Sequence, residues 1–491
     1  MHPKEQKTEA GLAALEVLVR RDLDYLCRPS ANWVVPRQAS GEPVLDVVII
    51  GGGMCGMLVW FALQSAGIRN VRIIDRNPEG LEGPWITYAR METLRSPKHL
   101  TGPAYGMASL TFRAWFEARF GETSWEALDK IPRPMWMDYL RWYRKVLQIP
   151  IENNVELVHA RPEGNFLRLE LGGECAGGQH LLTRKLIMAT GREGTGHPNI
   201  PAFMKGVPRS HFAHSSDDID FSELRGKRVA VIGVGASAVE NAAEAAEAGA
   251  GDVRLLARRE KMPTVNKMMG IGSFGFSAGY AALPDEWRWR FMQYSFSTQT
   301  PAPHGSTRRA SRNESLYFHF GAPVTDVRHE GDVLMIDIAG DRRLTSDFLI
   351  LGTGFTTDPL ARTEFGEVAA AIQLWEDVYA PPEDEGDPDL GRFPYLNPDF
   401  SFREKTLGAA PWLRDVYCFN YGATASLGKI SGDIPGISEG AAWLARDIAA
   451  AFYREDIEAH WQQLQDYDKP ELQGDEWTES PLPRTNDEDC P

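Results

Sequence analysis

Val47-Val48-Ile49-Ile50-Gly51-Gly52-Gly53-Met54-Cys55-Gly56 is an apolar strand that runs into a glycine-rich turn and then a helix. Gly51 permits the tight turn, and Gly53 lets backbone N–H groups approach a pyrophosphate with no Cβ in the way. Gly56 allows the following helix, expected over about Met57 to Ala66, to pack on the strand. The pyrophosphate then sits at the positive end of that helix. A second strand, Val71-Arg72-Ile73-Ile74, ends in Asp75, an acid suited to the ribose hydroxyls of an adenosine without a 2′-phosphate. FAD and NAD both meet that description.

About 180 residues later the pattern returns as Val229-Ala230-Val231-Ile232-Gly233-Val234-Gly235-Ala236-Ser237-Ala238. Ala238 takes the third glycine position, an allowed variant. The next strand, Val253-Arg254-Leu255-Leu256, runs into Ala257-Arg258-Arg259, with no acid. Two guanidiniums suit a 2′-phosphate through bidentate hydrogen bonds; a solvated strand end is the other reading. Site one therefore reads as FAD and site two as NADPH. Two such turns, each in strand–turn–helix context, imply electron transfer between two cofactors.

The chain of 491 residues is long enough for two or three full domains. A net charge of −16 with no compensating basic run argues against nucleic acid or an anionic membrane as partner. The acid concentrates around Glu383-Asp384-Glu385 and in the tail Asn486-Asp487-Glu488-Asp489, both read as solvated segments. Cys27, Cys55, Cys175, Cys418 and Cys490 are odd in number and form no CxxC pair, which fits a reducing cytoplasm. Met1 to Ala10 lacks the apolar core of an export signal, and no run is long enough to span a bilayer. The eleven histidines form no HExxH or paired ligand set, so no metal is expected.

Glu9 to Leu26 has the spacing of an amphipathic helix, read as core-facing. After the first turn comes a two-stranded ribbon (Val155 to Val158, Phe166 to Leu171), then a strand ending at Thr190-Gly191. After the second comes a like ribbon (Val324 to Val327, Val333 to Ile338), then a strand ending at Thr353-Gly354. The echo predicts an α/β fold of two dinucleotide-binding, Rossmann-like domains, the NADPH domain inserted in the FAD domain. The boundaries expected are a helical extension at 1–43, the FAD domain at 44–195 and 351–455, the NADPH domain at 196–350, and a polar tail at 456–491. Gly428 to Gly440 precedes a helix expected from about Ala441 to Tyr453. Its start would stabilise negative charge on a reduced flavin, with Gly432 and Asp433 as turn residues.

Together these residues resemble the flavin-dependent, NADPH-using monooxygenases: flavin-containing monooxygenases, Baeyer–Villiger monooxygenases, and lysine or ornithine N-hydroxylases. The likeness covers roughly Val44 to Tyr453. It rests on both turns, Gly83-Pro84-Trp85, Ala189-Thr190-Gly191, His214-Ser215 ahead of Gly226-Lys227-Arg228, and Gly352-Thr353-Gly354-Phe355. The Baeyer–Villiger pattern Phe-x-Gly-x-x-x-His-x-x-x-Trp is not met, because Phe203, Gly206, His211 and His214 are offset from it and no Trp follows. Met91 to Thr101 and Ile131 to Tyr143 lean instead toward the N-hydroxylases.

The resemblance implies that NADPH reduces FAD and that O₂ adds to the flavin. A C4a-peroxyflavin then hydroxylates a small polar substrate, at nitrogen or on a heteroaromatic ring. Baeyer–Villiger or S-oxygenation by the same chemistry, and a pyridine nucleotide-dependent flavin reductase or redox sensor, are the competing readings. A disulfide reductase would need a cysteine pair beside the flavin. Cofactor contacts are expected from Gly51, Gly53, Gly56, Asp75, Trp85, Gly191, Gly233, Gly235, Ala238, Arg258, Arg259, Gly354 and Asp433. Arg95, Lys98 and His99 are the catalytic candidates, on a loop expected to fold over the flavin; a surface ion pair or phosphate contact is the alternative for the first two. Arg192 is a candidate NADPH contact or a loop salt bridge. Trp136, Tyr139, Trp142 and Tyr143 read as core, and Cys55 as packing. Lys261 to Arg312 is too long for a plain connection and is expected to help build the substrate pocket. A soluble cytoplasmic enzyme, with homo-oligomerisation open, completes the expectation.

Overall fold

The computed structural model describes residues 3–176 and 178–482; the acidic run Asn486 to Asp489 and Cys490 lie outside the described residues. The glycine strand Glu42–Ile50 lies inside an eight-stranded sheet, hydrogen-bonded in parallel to Val71–Asp75 on one side and His180–Met188 on the other. Val47, Val48 and Ile49 are fully buried, as in a strand covered on both faces. Ile151–Asn153 extends the sheet beyond Val71–Asp75, and Val416–Cys418 pairs in parallel with His180–Met188. The expected ribbon, Glu156–Glu163 and Phe166–Gly172, is not a separate body. It continues this sheet antiparallel from His180–Met188.

A second sheet holds Leu316–His319, Asp252–Leu256, Arg228–Ile232, Phe348–Leu351 and Phe212–His214 in that order, all parallel. Here the ribbon does stand apart, as an antiparallel sheet of Val324–Glu330, Val333–Ile338 and a strand not foreseen, Arg342–Ser346. The second sheet is built from chain lying between two neighbouring strands of the first. The mixed α/β, doubly parallel architecture follows from the two glycine repeats.

Helix positions differ from expectation at their starts. The first glycine helix is Met54–Ser65, beginning directly after Gly53. The late helix runs Ile437–Glu455, four residues ahead of its expected start. The N-terminal helix, Pro3–Tyr25, buries Leu15 and Val19 in the main core. It crosses its neighbour so closely that a Cβ on Gly11 would lie 2.0 Å from the Ala118 carbonyl oxygen. Within the expected polar tail a helix forms at Ile457–Asp466, with Ile457, Trp461 and Leu464 exposed. Its apolar residues recur at helical spacing, a signal outweighed in sequence by the polar residues around them. Glu385 is not fully solvated either: it accepts from Arg290 at 2.7 Å. Trp136, Tyr139, Trp142 and Tyr143 are buried in the main core, as read. No helix among the described residues is long and apolar enough to cross a membrane.

Candidate functional site

Both glycine turns end in helices whose first N–H groups have no side-chain cap. Gly53 caps Met54–Ser65 and Gly235 caps Ala236–Glu247, neither helix carrying an acid in its first turn. Elsewhere the chain does cap: the Thr111 hydroxyl accepts from Ala114 N at 3.1 Å. Other helices, Arg133–Leu147 and His304–Ser311 among them, also lack a side-chain cap; here the uncapped start follows a glycine turn at a strand end, the arrangement that a pyrophosphate fills.

Space supports the same reading. Gly51 and Gly233 have φ of 103° and 119°, which side chains rarely adopt, and a Cβ on either would strike a carbonyl oxygen within 2.5 Å. Gly53 differs: its nearest neighbour to an added Cβ is Gly83 at 3.8 Å, so the room beside it is open. A cavity of about 260 Å³ opens there, lined by Gly53, Met57, Glu79, Gly80, Leu140 and Arg144 among others. Gly191 and Gly354, at the two Thr-Gly strand ends, face open space. Their carbonyls accept from Tyr421 N at 3.3 Å and Asn199 N at 2.9 Å. Gly56 is a packing residue, since a Cβ would lie 1.8 Å from the Gly51 carbonyl oxygen; Ala238, its counterpart, is fully buried. The residues present fit two dinucleotides.

Asp75 ends its strand buried. One oxygen accepts from Gly52 N at 2.7 Å and the other from Asn77 N at 2.8 Å. These bonds fix the carboxylate against the first turn and leave further lone pairs for a ribose hydroxyl. The second unit separates its two arginines. Arg259 is committed to the Gln299 side chain at 2.8 Å and the Ser297 carbonyl at 2.7 Å. Arg258 is exposed and has no partner among the described residues.

The loop after Gly83 carries Trp85, which packs edge-on to Trp136 with ring centroids 6.1 Å apart. The three catalytic candidates part company. Lys98 turns onto Trp125, donating to its carbonyl at 2.6 Å with the ammonium 4.9 Å from the ring centroid. That commitment is a packing and cation–π role. His99 is exposed and without a partner among the described residues. Arg95 instead reaches across to the second sheet's side and donates to the Pro301 carbonyl at 2.7 Å.

Lys429 lies in the run from Gly428 to Gly440 that leads into the late helix. Its Nζ lies 3.9 Å from Asp433 Oδ2, beyond hydrogen-bond reach, although the side chain is mostly buried. Burial lowers its pKa; Asp433 opposes that, while Arg192 and Arg95 push it further down. Arg192 lies over the Tyr421 ring, its carbon 3.8 Å from the centroid. Arg95, Arg192 and Lys429 thus share a neighbourhood with one exposed acid, Asp433. That acid also lies near the first turn, adding to the burial that pushes the Cys55 thiol up to about 12. No local motif marks a cation gathered from three distant segments.

The Lys261–Arg312 stretch folds against this place. Tyr280, Trp289 and Met292 form one core with Trp375, Phe393 and Ala425. The Tyr280 hydroxyl donates to the Ala425 carbonyl at 2.9 Å, and Arg288 donates to the Ser426 carbonyl at 3.0 Å. The insertion therefore abuts the turn that carries Lys429.

Residues 48–269 match the family model for pyridine nucleotide-disulphide oxidoreductase. The described cysteines are free thiols, and Cys55 and Cys418 are buried. Among solved structures, an ornithine N-hydroxylase from Kutzneria sp. 744, with reduced FAD, NADP⁺ and L-ornithine, superposes with a TM-score of 0.65 at 18% identity. The match covers 83% of this chain and 100% of that one. An ornithine hydroxylase from Pseudomonas aeruginosa gives 0.64 at 15% identity, over 83% and 99%. In sequence, the FAD-dependent urate hydroxylase of Xanthomonas campestris pv. campestris is 38% identical over 468 residues, 94% of this chain and 98% of the relative. The chain belongs to the family of FAD-dependent flavoprotein monooxygenases, and it is an oxidoreductase, a hydroxylase with FAD as cofactor.

Proposed function

We propose that the substrate is urate or a closely related oxidised purine, hydroxylated on its ring. One observation carries this: the end-to-end likeness to a urate hydroxylase, 38% identical across 98% of its length. The charge at the site supports it. Urate is an anion at neutral pH, and Arg95, Arg192 and Lys429 outnumber the acids that face them, Asp433 and the buried Glu240. An amine substrate such as ornithine would meet like charges there, at a cost in binding.

FAD, when bound, supplies the relay of two electrons from NADPH and the activation of O₂. The chain supplies the rest. The open turn beside Gly53 and the uncapped start of Met54–Ser65 hold the pyrophosphate, with Asp75 for the ribose. Gly233, Gly235 and Ala236–Glu247 do the same for NADPH, with Arg258 for the 2′-phosphate. Arg95 and Lys429 orient the anionic ring and neutralise its charge. Trp85 and the insertion against Ala425 exclude water.

The test is NADPH oxidation by the FAD-loaded enzyme under isotopically labelled dioxygen, with urate, xanthine, ornithine and lysine supplied in turn. A purine, urate foremost, should stimulate oxidation and yield a product carrying one labelled oxygen, and neither amine should. Stimulation by ornithine or lysine, with urate inert, refutes the assignment. Arg95→Met and Lys429→Met should each raise the KM for urate about tenfold or more, the loss of one charge-assisted contact.

A further inference from the structure

Residues 83–101, the segment carrying Trp85 and Arg95, are held through their own carbonyls by arginines. Arg133 donates to the carbonyls of Trp85 and Met91, the second at 2.9 Å. Arg90 turns back to the Thr87 carbonyl at 2.6 Å. Arg309 comes from the other side of the molecule and donates to the Arg90 carbonyl at 3.0 Å.

Arg309 lies on the short helix His304–Ser311 and is almost buried, its side chain 11% exposed. The rest of its guanidinium is spent on Ala236–Glu247, the helix whose first turn awaits the NADPH pyrophosphate. It binds Glu244 at 2.6 Å and both oxygens of Glu247, one at 2.9 Å. One turn earlier on the same helix, the buried Glu240 accepts from Ser306 at 2.7 Å, which locks the two helices together. Two further bonds cross the same boundary: Arg95 to the Pro301 carbonyl, and Arg90 to the Asp217 carbonyl at 3.5 Å.

We infer that Arg309 is a positioning residue that ties the seating of NADPH on Ala236–Glu247 to the placement of residues 83–101 over the flavin. The role needs a planar fork. Five N–H donors in fixed geometry can bridge two carboxylates and a carbonyl at once, whereas a lysine ammonium is a point charge. The helix is a packed rod, so a small shift at its start reaches Glu244 and Glu247, and through Arg309 reaches Arg90. NADPH can bias the segment only through contacts that respond to its binding, and this chain of bonds is the continuous route between the two.

The experiment titrates the FAD-loaded enzyme with NADP⁺ and follows flavin absorption. The wild type should show a saturable spectral change as the segment shifts over the ring. Arg309→Met should bind FAD fully and still bind NADP⁺, with that change reduced about three- to tenfold. Hydroxylated product per NADPH consumed should fall by a similar factor, hydrogen peroxide making up the difference, and Arg309→Lys should restore less than half. An unchanged spectrum together with an unchanged product ratio overturns the inference. So does a variant that loses product and NADPH oxidation in equal proportion, which marks a purely structural brace. If Arg309→Met fails to fold, Glu244→Gln with Glu247→Gln releases the same guanidinium. Retention of the full spectral change in that double variant overturns the inference equally. The product ratio rests on the urate reading, but the NADP⁺ titration needs no substrate, so the two ideas fail separately.

Discussion

Five residues before Gly51 stands Asp46, with Arg184 on the neighbouring strand. Five residues before Gly233 stands Arg228, with Asp347 at the corresponding place. The same pair recurs with its signs exchanged, and the two behave differently. Asp46 is 2% exposed, one of its oxygens has no partner, and Arg184 is already held by Asp456 and Glu455. Burial therefore pushes its carboxyl up to about 6 even though Arg184 pulls the other way. Arg228 is half in solvent, binds both oxygens of Asp347 and holds that carboxyl below its ordinary range. The turn geometry is common to the two units; the charge at the far end of the strand is free to differ.

Packing at the turns shows a second exchange. The first unit has Gly56 on the helix and Ala189 on the returning strand; the second has Ala238 and Gly352. A Cβ on Gly352 would lie 2.4 Å from the Ala238 Cβ, so the second unit has room for one methyl there.

The largest effects should come from closing the pyrophosphate spaces one at a time. Gly53→Val meets open room in the protein itself, so the chain should fold and emerge colourless. Gly235→Val should emerge yellow yet not be reduced by NADPH; equal flavin loss in both variants would erase the distinction between the units. Next in size is Arg258→Ala, which should raise the KM for NADPH about ten- to a hundredfold and that for NADH less than about twofold. Arg259→Ala should do less, its guanidinium being tied to Ser297 and Gln299. An equal rise for both nucleotides would remove the 2′-phosphate from the argument.

Gly352→Ala should then lower stability by about 1–3 kcal/mol through overpacking. Adding Ala238→Gly should recover part of the loss, the remainder reflecting the backbone Cα of residue 238 at 2.7 Å and the Ile232 carbonyl oxygen at 2.9 Å. Strictly additive melting shifts would show that the two sites do not share that space. The smallest effects concern pH. Asp46 binds its proton more tightly folded than unfolded, so stability falls as pH rises from about 4 to about 6. Asp46→Asn should be more stable than wild type at about pH 7 by about 1–3 kcal/mol, and converge with it near pH 4. Asp347→Asn should show the opposite sense: a loss of about 1 kcal/mol or less at neutral pH that shrinks as pH falls through the carboxylate range.

Gly51, Gly53, Asp75, Gly233 and Gly235 could be read from sequence because their constraints are local: a turn, a close approach, a strand end. The returning strands at Thr190-Gly191 and Thr353-Gly354 were legible for the same reason. Helix starts were misjudged because Gly53 and Gly436 act as caps without a capping side chain, leaving no residue-type signal. Lys429, Arg192 and Arg95 meet only through tertiary folding, and no spacing announces them. Lys98 looked equivalent to Arg95 in sequence; the ring of Trp125, distant along the chain, decided otherwise.

The pairing of Val416–Cys418 with His180–Met188 has a consequence for biosynthesis. During translation the parallel sheet from Phe212–His214 to Phe348–Leu351 can close while the larger one still waits for its last strand. The helix Ile437–Glu455, which buries its apolar side in the main core, emerges later still. Vectorial synthesis thus leaves the flavin cavity as the final part of the molecule to be walled in. A ribosome stalled before residue 416 would carry a finished nucleotide module beside an open, unfilled one.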